Sequence, residues 1–276
     1  MTLLMVWREA SLDRLWIVGD SRLTRPGDAG GHVRLTDRAA KVLEADVFLR
    51  GTDPFAPPLK AKKVGFAYAG SSLVALQSYA AVLPLWTRLM SSEQQELPTM
   101  GEIAEHLGKF VHAYTRDLAA AGERGCNTDC VLVGFDDRSQ GVEAWEILAH
   151  PSTSGIDFHC GQMQLGPGAM YLSGSGSMEA IERLKEIKPR GGHWRREPLD
   201  MIRLQLRDDP PGTVGGGVQI GLASREGFEV CADAQTFRPG FSRPGDPLLA
   251  MTYRGFDLGD VSRVGHAFVS IPGISS

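Results

Sequence analysis

Cysteine is scarce, with four residues in 276. That number does not make a disulfide framework, the usual device of small secreted domains that lack a core. Positive charge is not in excess either. Twenty-nine Lys and Arg stand against 33 Asp and Glu, a net charge of −4, which leaves no electrostatic footprint for nucleic acid. No apolar run reaches the roughly 18 residues that a helical membrane span needs. At the N-terminus, Arg8, Glu9, Asp13 and Arg14 interrupt the apolar residues before they could form a secretory signal. The patterns H-E-x-x-H and G-x-S-x-G are both missing, so neither a zincin helix nor a serine nucleophile elbow is supported. Repeats at solenoid periods are absent. What is present is ordinary globular usage, 42% hydrophobic and 22% charged, which implies a cytoplasmic globular protein with a sizeable core, no membrane and no nucleic-acid partner.

Short apolar runs bounded by polar turns read as buried strands. Thr2 to Trp7 and Leu15 to Val18 predict an N-terminal hairpin, followed by a Gly/Pro/Asp-rich loop at Arg25 to Gly31. Ala39 to Phe48 is apolar again, and Gly51 to Lys63, with Pro54, Pro57 and Pro58, reads as a surface loop. Val64 to Ala69 predicts a strand that ends at Gly70. Helical spacing then begins at Ser71 or Ser72 and runs to Trp86, with Pro84 expected to kink or shorten it. A second helix is predicted over Thr99 to Ala121, opened by a Thr99–Glu102 capping box. Cys130 to Phe135 and Val142 to Leu148 form a predicted hairpin, and His150 to Gly168 reads as irregular. A strand at Ala169 to Leu172 leads through Gly174 to Ser177 into a helix over Met178 to Ile187; Leu199 to Arg207 is amphipathic, and Val218 to Ala223 with Gly227 to Cys231 closes a last hairpin. Hairpins and paired helices, rather than strict βαβ alternation, predict an α+β protein with antiparallel sheets and helices on their outer faces.

The chemistry starts at position two. Removal of the initiator Met before a small residue leaves Thr2 as the N-terminus, where one residue carries both a nucleophilic hydroxyl and, in its α-amine, a base that titrates near ~7.7–8.0. Many chains begin Met-Thr without catalytic reason, so the downstream residues decide. A strand runs into Gly19-Asp20-Ser21-Arg22 with Thr24 beyond. Lys41 follows in an apolar setting, Gly70 lies between a strand and a helix, and Gly174-Ser-Gly-Ser177 lies between another strand and helix. In their order these features resemble the proteasome β-subunit family, which includes the bacterial peptidase HslV and the Anbu-type bacterial relatives. The likeness spans Thr2 to about Val230.

The resemblance implies an N-terminal nucleophile hydrolase fold, a four-layer αββα sandwich with two antiparallel sheets. It implies one proteasome-like domain over residues 1–276, with 238–276 as a C-terminal extension. It further implies Thr2 as nucleophile, Asp20 as the buried carboxylate holding Lys41, and Lys41 as the ammonium that acidifies the hydroxyl. Gly70 would supply the oxyanion N–H, and Ser175 would bond near the Thr2 amine. Tyr68 matches a position that floors the first specificity pocket, where it would make the pocket shallow; equally, it could pack beneath its own helix. The family usually has an Asp and a Ser before a last-hairpin Ser-Gly-Gly, whereas this chain has Pro211 and Val214 there, with Asp209 and Thr213 as substitutes for the supporting shell. No metal or organic cofactor is implied. The partners implied are a peptide or protein substrate, further copies of the chain in a ring or helical stack, and an ATP-dependent unfoldase.

Other signals carry less. Cys126, Cys130 and His159-Cys160 lack a second ligand pair at finger spacing and read as buried thiols. The Gly174 turn lacks the third glycine of a dinucleotide fingerprint, and Gly215 to Gly217 read as close backbone packing. The expected function is therefore a threonine hydrolase of amide, chiefly peptide, bonds through an acyl-enzyme on Thr2. The alternatives are a non-catalytic proteasome-like assembly subunit and an amidase for a non-peptide substrate.

Overall fold

The structure is a computed structural model that describes residues 2–27, 31–53, 55–91, 96–123, 125–187, 189, 191–207, 212–235 and 250–275. Strands β1 (Leu4–Glu9) and β2 (Arg14–Asp20) form the N-terminal hairpin. Strands β3 (Leu23–Pro26) and β4 (His32–Thr36) make a small separate hairpin flanking the expected glycine-rich loop. Next come β5 (Val42–Arg50), β6 (Lys60–Gly70), helix α1 (Ser72–Trp86), the two-residue β7 (Leu89–Met90) and α2 (Met100–Ala120). The middle of the chain gives β8 (Thr128–Asp136), β9 (Gly141–Ser152), β10 (Gly155–Gln162) and β11 (Met170–Ser173). Helices α3 (Ser177–Glu186) and α4 (Glu197–Arg207) precede β12 (Val218–Ser224), β13 (Gly227–Gln235), β14 (Ala250–Tyr253) and β15 (Phe256–Asp257).

Two sheets result. One has the order β11-β1-β2-β12-β13-β14-β15, and the other β10-β9-β8-β6-β5-β7. Pairings along both are antiparallel except the short β5–β7 contact and the C-terminal strand Gly273–Ser275, which runs parallel to β13. Three apolar clusters define the layers. Leu43, Phe66 and Leu132 of the second sheet pack with Val74 of α1 and Leu107 of α2. Met5, Val18 and Ile220 of the first sheet pack with Leu184 of α3 and Ile202 of α4. Leu4, Ile17, Ala67, Val131 and Phe228 fill the space between the sheets. Alternation along a strand sends neighbouring residues to opposite faces, and Leu3 and Leu4 show it by joining different clusters. The order is helix, sheet, sheet, helix: the antiparallel sheets and outer helices predicted by the hairpin pattern, stacked as the α+β sandwich that the resemblance implies.

Several local expectations need correction. The loop expected over Gly51 to Lys63 is already strand from Lys60, where charged residues pair with β5 through Leu49↔Lys60 and Val47↔Lys62. The irregular stretch expected over His150 to Gly168 contains β10, paired with β9 from Gly155↔Ser152 to Gln162↔Trp145. Ile156, Phe158 and Cys160 alternate there at period two with Asp157 and His159, a strand pattern that a search for continuous apolar runs passes over. Pro84 lies in the last turn of α1, which stops two residues beyond it. The Thr99 capping box forms as read, with Glu102 N donating to Thr99 Oγ1 at 3.2 Å and Thr99 N donating to Glu102 Oε2 at 2.8 Å. Of the expected C-terminal extension, residues 238–249 and 276 lie outside the described residues, and 250–275 include strands added to the far end of β13.

Phe228 shows how close the sheets come. A β-carbon added at Gly65 would lie 2.2 Å from its ring, and one at Gly221 would lie 2.3 Å from it. The ring occupies the volume that these two glycines, one from each sheet, leave free. Gly65→Val should therefore lower stability by overpacking, at about 1–3 kcal/mol. Phe228→Ala should cost about 3–5 kcal/mol through a cavity. Urea unfolding midpoints check both, and a Gly65→Val midpoint equal to that of the unsubstituted protein would refute the packing account.

Candidate active site

The hairpin β1–β2 and strand β12 lie side by side, in register Leu4↔Gly19 and Gln219↔Gly19, so residues 3, 20 and 219 meet at one end of the first sheet. There Asp20 and Lys41, both fully buried, form an ion pair with Lys41 Nζ 2.8 Å from Asp20 Oδ1. Asp20 Oδ1 also accepts from Leu3 N at 3.0 Å. Its other oxygen accepts from Arg22 N and Gly215 N, each at 3.1 Å. The carboxylate thus has three backbone donors besides the ammonium, whereas Asp20 is the only hydrogen-bond partner of the ammonium among the described residues. Burial pulls the pKa of Lys41 below the ordinary lysine value, and the charge and hydrogen bond of Asp20 work against that fall.

Since one oxygen binds both the ammonium and Leu3 N, Lys41 Nζ lies within two hydrogen-bond lengths of the peptide that joins Thr2 to Leu3. Thr2 is 2% exposed. The turn after β11 lies directly on it. Gly176 N donates to Thr2 O at 3.3 Å, and a β-carbon on Gly174, whose φ is +93°, would fall 1.9 Å from that same oxygen. Only glycine fits there, which gives the Gly-Ser-Gly-Ser pattern its physical reason. Between the two glycines, Ser175 Oγ meets Thr213 Oγ1 at 2.7 Å. Asp209, the other substitute proposed for the supporting shell, lies outside the described residues.

Gly70 ends β6 with φ +90°, where a β-carbon would meet Asn127 O at 2.2 Å. Ser71 after it caps α1 by accepting from Val74 N at 3.4 Å. Tyr68 is 1% exposed and packs in the core beneath α1 and α2, with its hydroxyl donating to Ala40 O at 3.2 Å. It therefore touches the residue before Lys41 and is not an open surface.

Two contributors escaped the sequence reading. Gln219, 2% exposed, accepts from Lys41 N at 2.9 Å and Val42 N at 3.2 Å through Oε1, and donates to Ala39 O at 2.8 Å and Asp20 O at 3.1 Å through Nε2. It clamps the backbone of both charged residues; a lone amide between Val218 and Ile220 was the available signal. Asp37 is the other. It binds Arg22 through Nε at 2.7 Å, and the Arg22 guanidinium holds its carboxyl below the usual range.

No model of a protein family matches the sequence, and none of the curated proteins does. Solved structures do. Anbu (ancestral beta-subunit) from Yersinia bercovieri is 13% identical, with 83% of this chain and 86% of that chain covered at a TM-score of 0.51. The helical assembly of the Anbu complex from Pseudomonas aeruginosa is 12% identical, with 80% of each chain covered at a TM-score of 0.52. The fold is proteasome-like.

The unequal partnering of the buried pair sets an order of costs. Asp20→Ala strands an ammonium, at about 3–5 kcal/mol. Lys41→Ala should cost less, because three N–H groups still bind the carboxylate. Urea unfolding of the two variants checks this, and equal or reversed losses would contradict it.

Proposed function

We propose that the protein is a threonine-type N-terminal nucleophile hydrolase that cleaves amide bonds, chiefly in peptides. The supporting observation is the buried Asp20–Lys41 pair, whose carboxylate also holds the amide that follows Thr2. An isolated buried charge pair is a poor stabiliser compared with apolar packing, so its presence beside the second residue is better explained by chemistry.

In this reading, loss of Met1 frees the Thr2 amine. That amine takes the hydroxyl proton as Oγ attacks the substrate carbonyl, and the Lys41 charge favours the oxyanion form of Oγ. The negative charge that develops on the carbonyl oxygen is met by Gly70 N–H at the start of α1, where helix geometry favours an anion. The amine then protonates the departing amine of the substrate, leaving an ester on Thr2. Water, deprotonated by the Thr2 amine, cleaves that ester. Ser175 and Thr213 supply hydroxyls beside the turn that covers Thr2, and Thr213 stands one residue from Val214, which fills the position where relatives carry serine. Tyr68, packed beneath α1 and α2 with its hydroxyl on Ala40 O, braces the residue before Lys41 and leaves pocket size to other residues. The whole chain acts as one domain in a homo-oligomer, ring or helical, that takes unfolded substrate, with an ATP-dependent unfoldase as supplier.

A second reading, a non-catalytic assembly subunit, draws support from the apolar, buried Val214. The two part experimentally. Intact mass should show loss of the initiator Met, and an epoxyketone or β-lactone probe should add once, at Thr2. Thr2→Ala should abolish addition, and Lys41→Ala should slow it on the order of 100-fold while assembly persists. A protein that retains Met1 and takes no probe would favour the assembly subunit.

A further inference from the structure

The C-terminal segment returns to the site. Strands β14 and β15 pair through Tyr253↔Phe256, which leaves Arg254 and Gly255 as a two-residue hairpin loop with φ of 52° and 79°. Positive φ at both positions is the backbone that Asn-Gly or Asp-Gly adopts readily and that arginine disfavours. Local turn chemistry therefore does not account for Arg254, and its contacts do. Its Nη2 donates to Val42 O at 2.9 Å, one residue after Lys41, and the guanidinium lies 4.9 Å from the centre of the Tyr253 ring.

Gly255 presses on the other half of the site. A β-carbon there would lie 2.4 Å from Asp37 O and 2.9 Å from Ser21 Oγ. Ser21, beside Asp20, donates to Asp37 O at 2.5 Å and accepts from Gly217 N at 2.7 Å. A β-carbon on Gly217 would lie 2.9 Å from Gly255 Cα, so the two backbones are in contact. Beyond the turn, Arg38 stacks over Phe256 at 5.0 Å. The end of the segment is anchored too. Arg203 of α4 holds Ile274 O at 2.9 Å while forming a buried pair with Asp233 of β13 at 2.6 Å.

We propose that the hairpin loop Arg254–Gly255 is a positioning brace that seats the residues flanking Asp20 and Lys41, so that the site is complete only when the end of the chain has folded back onto it. The role in catalysis rests on the hydrolase reading above; the bracing itself does not. Arg254 fixes the start of β5 from its open edge, and Gly255 fixes the Ser21–Asp37–Gly217 corner.

Hydrogen exchange and probe labelling on the full chain separate these parts. Arg254→Asn keeps a residue suited to positive φ and removes the guanidinium. It should speed exchange of the Lys41 and Val42 amides about tenfold and leave Val131 to Gly134 of β8 unchanged. Arg254→Lys retains a donor and should restore part of the protection. Gly255→Ala should loosen the same amides by displacing the turn from Asp37. Unchanged exchange at Lys41 and Val42 in Arg254→Asn would overturn the brace. Where the unsubstituted protein labels at Thr2, Arg254→Asn should label more slowly in proportion, and equal rates would overturn its link to catalysis. An unsubstituted protein that does not label, with exchange responding as stated, sinks the hydrolase reading and leaves the brace standing.

Discussion

A charged ammonium sealed from water is tolerable only with a carboxylate against it, and much of the surrounding structure follows from that requirement. Asp20 ends β2 of one sheet and Lys41 immediately precedes β5 of the other, so their pairing ties the sheets together at this end of the sandwich. The carboxylate is itself held by Leu3, Arg22 and Gly215, which ties the chain start, the end of β2 and the approach to β12 to one group. Gln219 does the same for the backbone on either side of the pair. Displacing the carboxylate would leave the ammonium and three backbone N–H groups without that partner, and that cost keeps the arrangement unique.

Small residues make such closeness possible. The turn at Gly174 lies on the carbonyl of Thr2, and Gly215 lies against the Arg22 guanidinium, where a β-carbon would stand 2.1 Å from Cζ. Between the sheets, Gly65 and Gly221 leave room for a single phenylalanine ring. The missing side chain makes room for a backbone carbonyl at Gly174, for a charged group at Gly215 and for an aromatic ring at Gly65 and Gly221. The core is therefore close-packed without being uniformly apolar.

Legibility in the sequence followed the range of the interaction. The capping box at Thr99, the strand–turn–helix at Gly70 and the hairpin β8–β9 are short-range patterns and formed close to where they were read. Strand β10 and the first residues of β6 were missed because their own residues are mostly exposed and many are polar or charged, so composition imitated a loop. The order of Thr2, Asp20 and Lys41 was readable only through a resemblance to a family. Nothing in the spacing of residues 20 and 41 states that their side chains touch.

The sequence by itself determined most of the element types, the alternation that buries one strand face, and the chemical character of the residues that meet at the site. Those follow from periodicity and side-chain chemistry, which act over a few residues. Tertiary structure alone decided that the lysine ammonium and the amide after Thr2 share one carboxylate oxygen, that Gln219 spans both charged residues, and that a turn more than two hundred residues downstream closes on Val42. These depend on the register and stacking of two sheets, and register is fixed by the sum of many distant contacts rather than by any local segment.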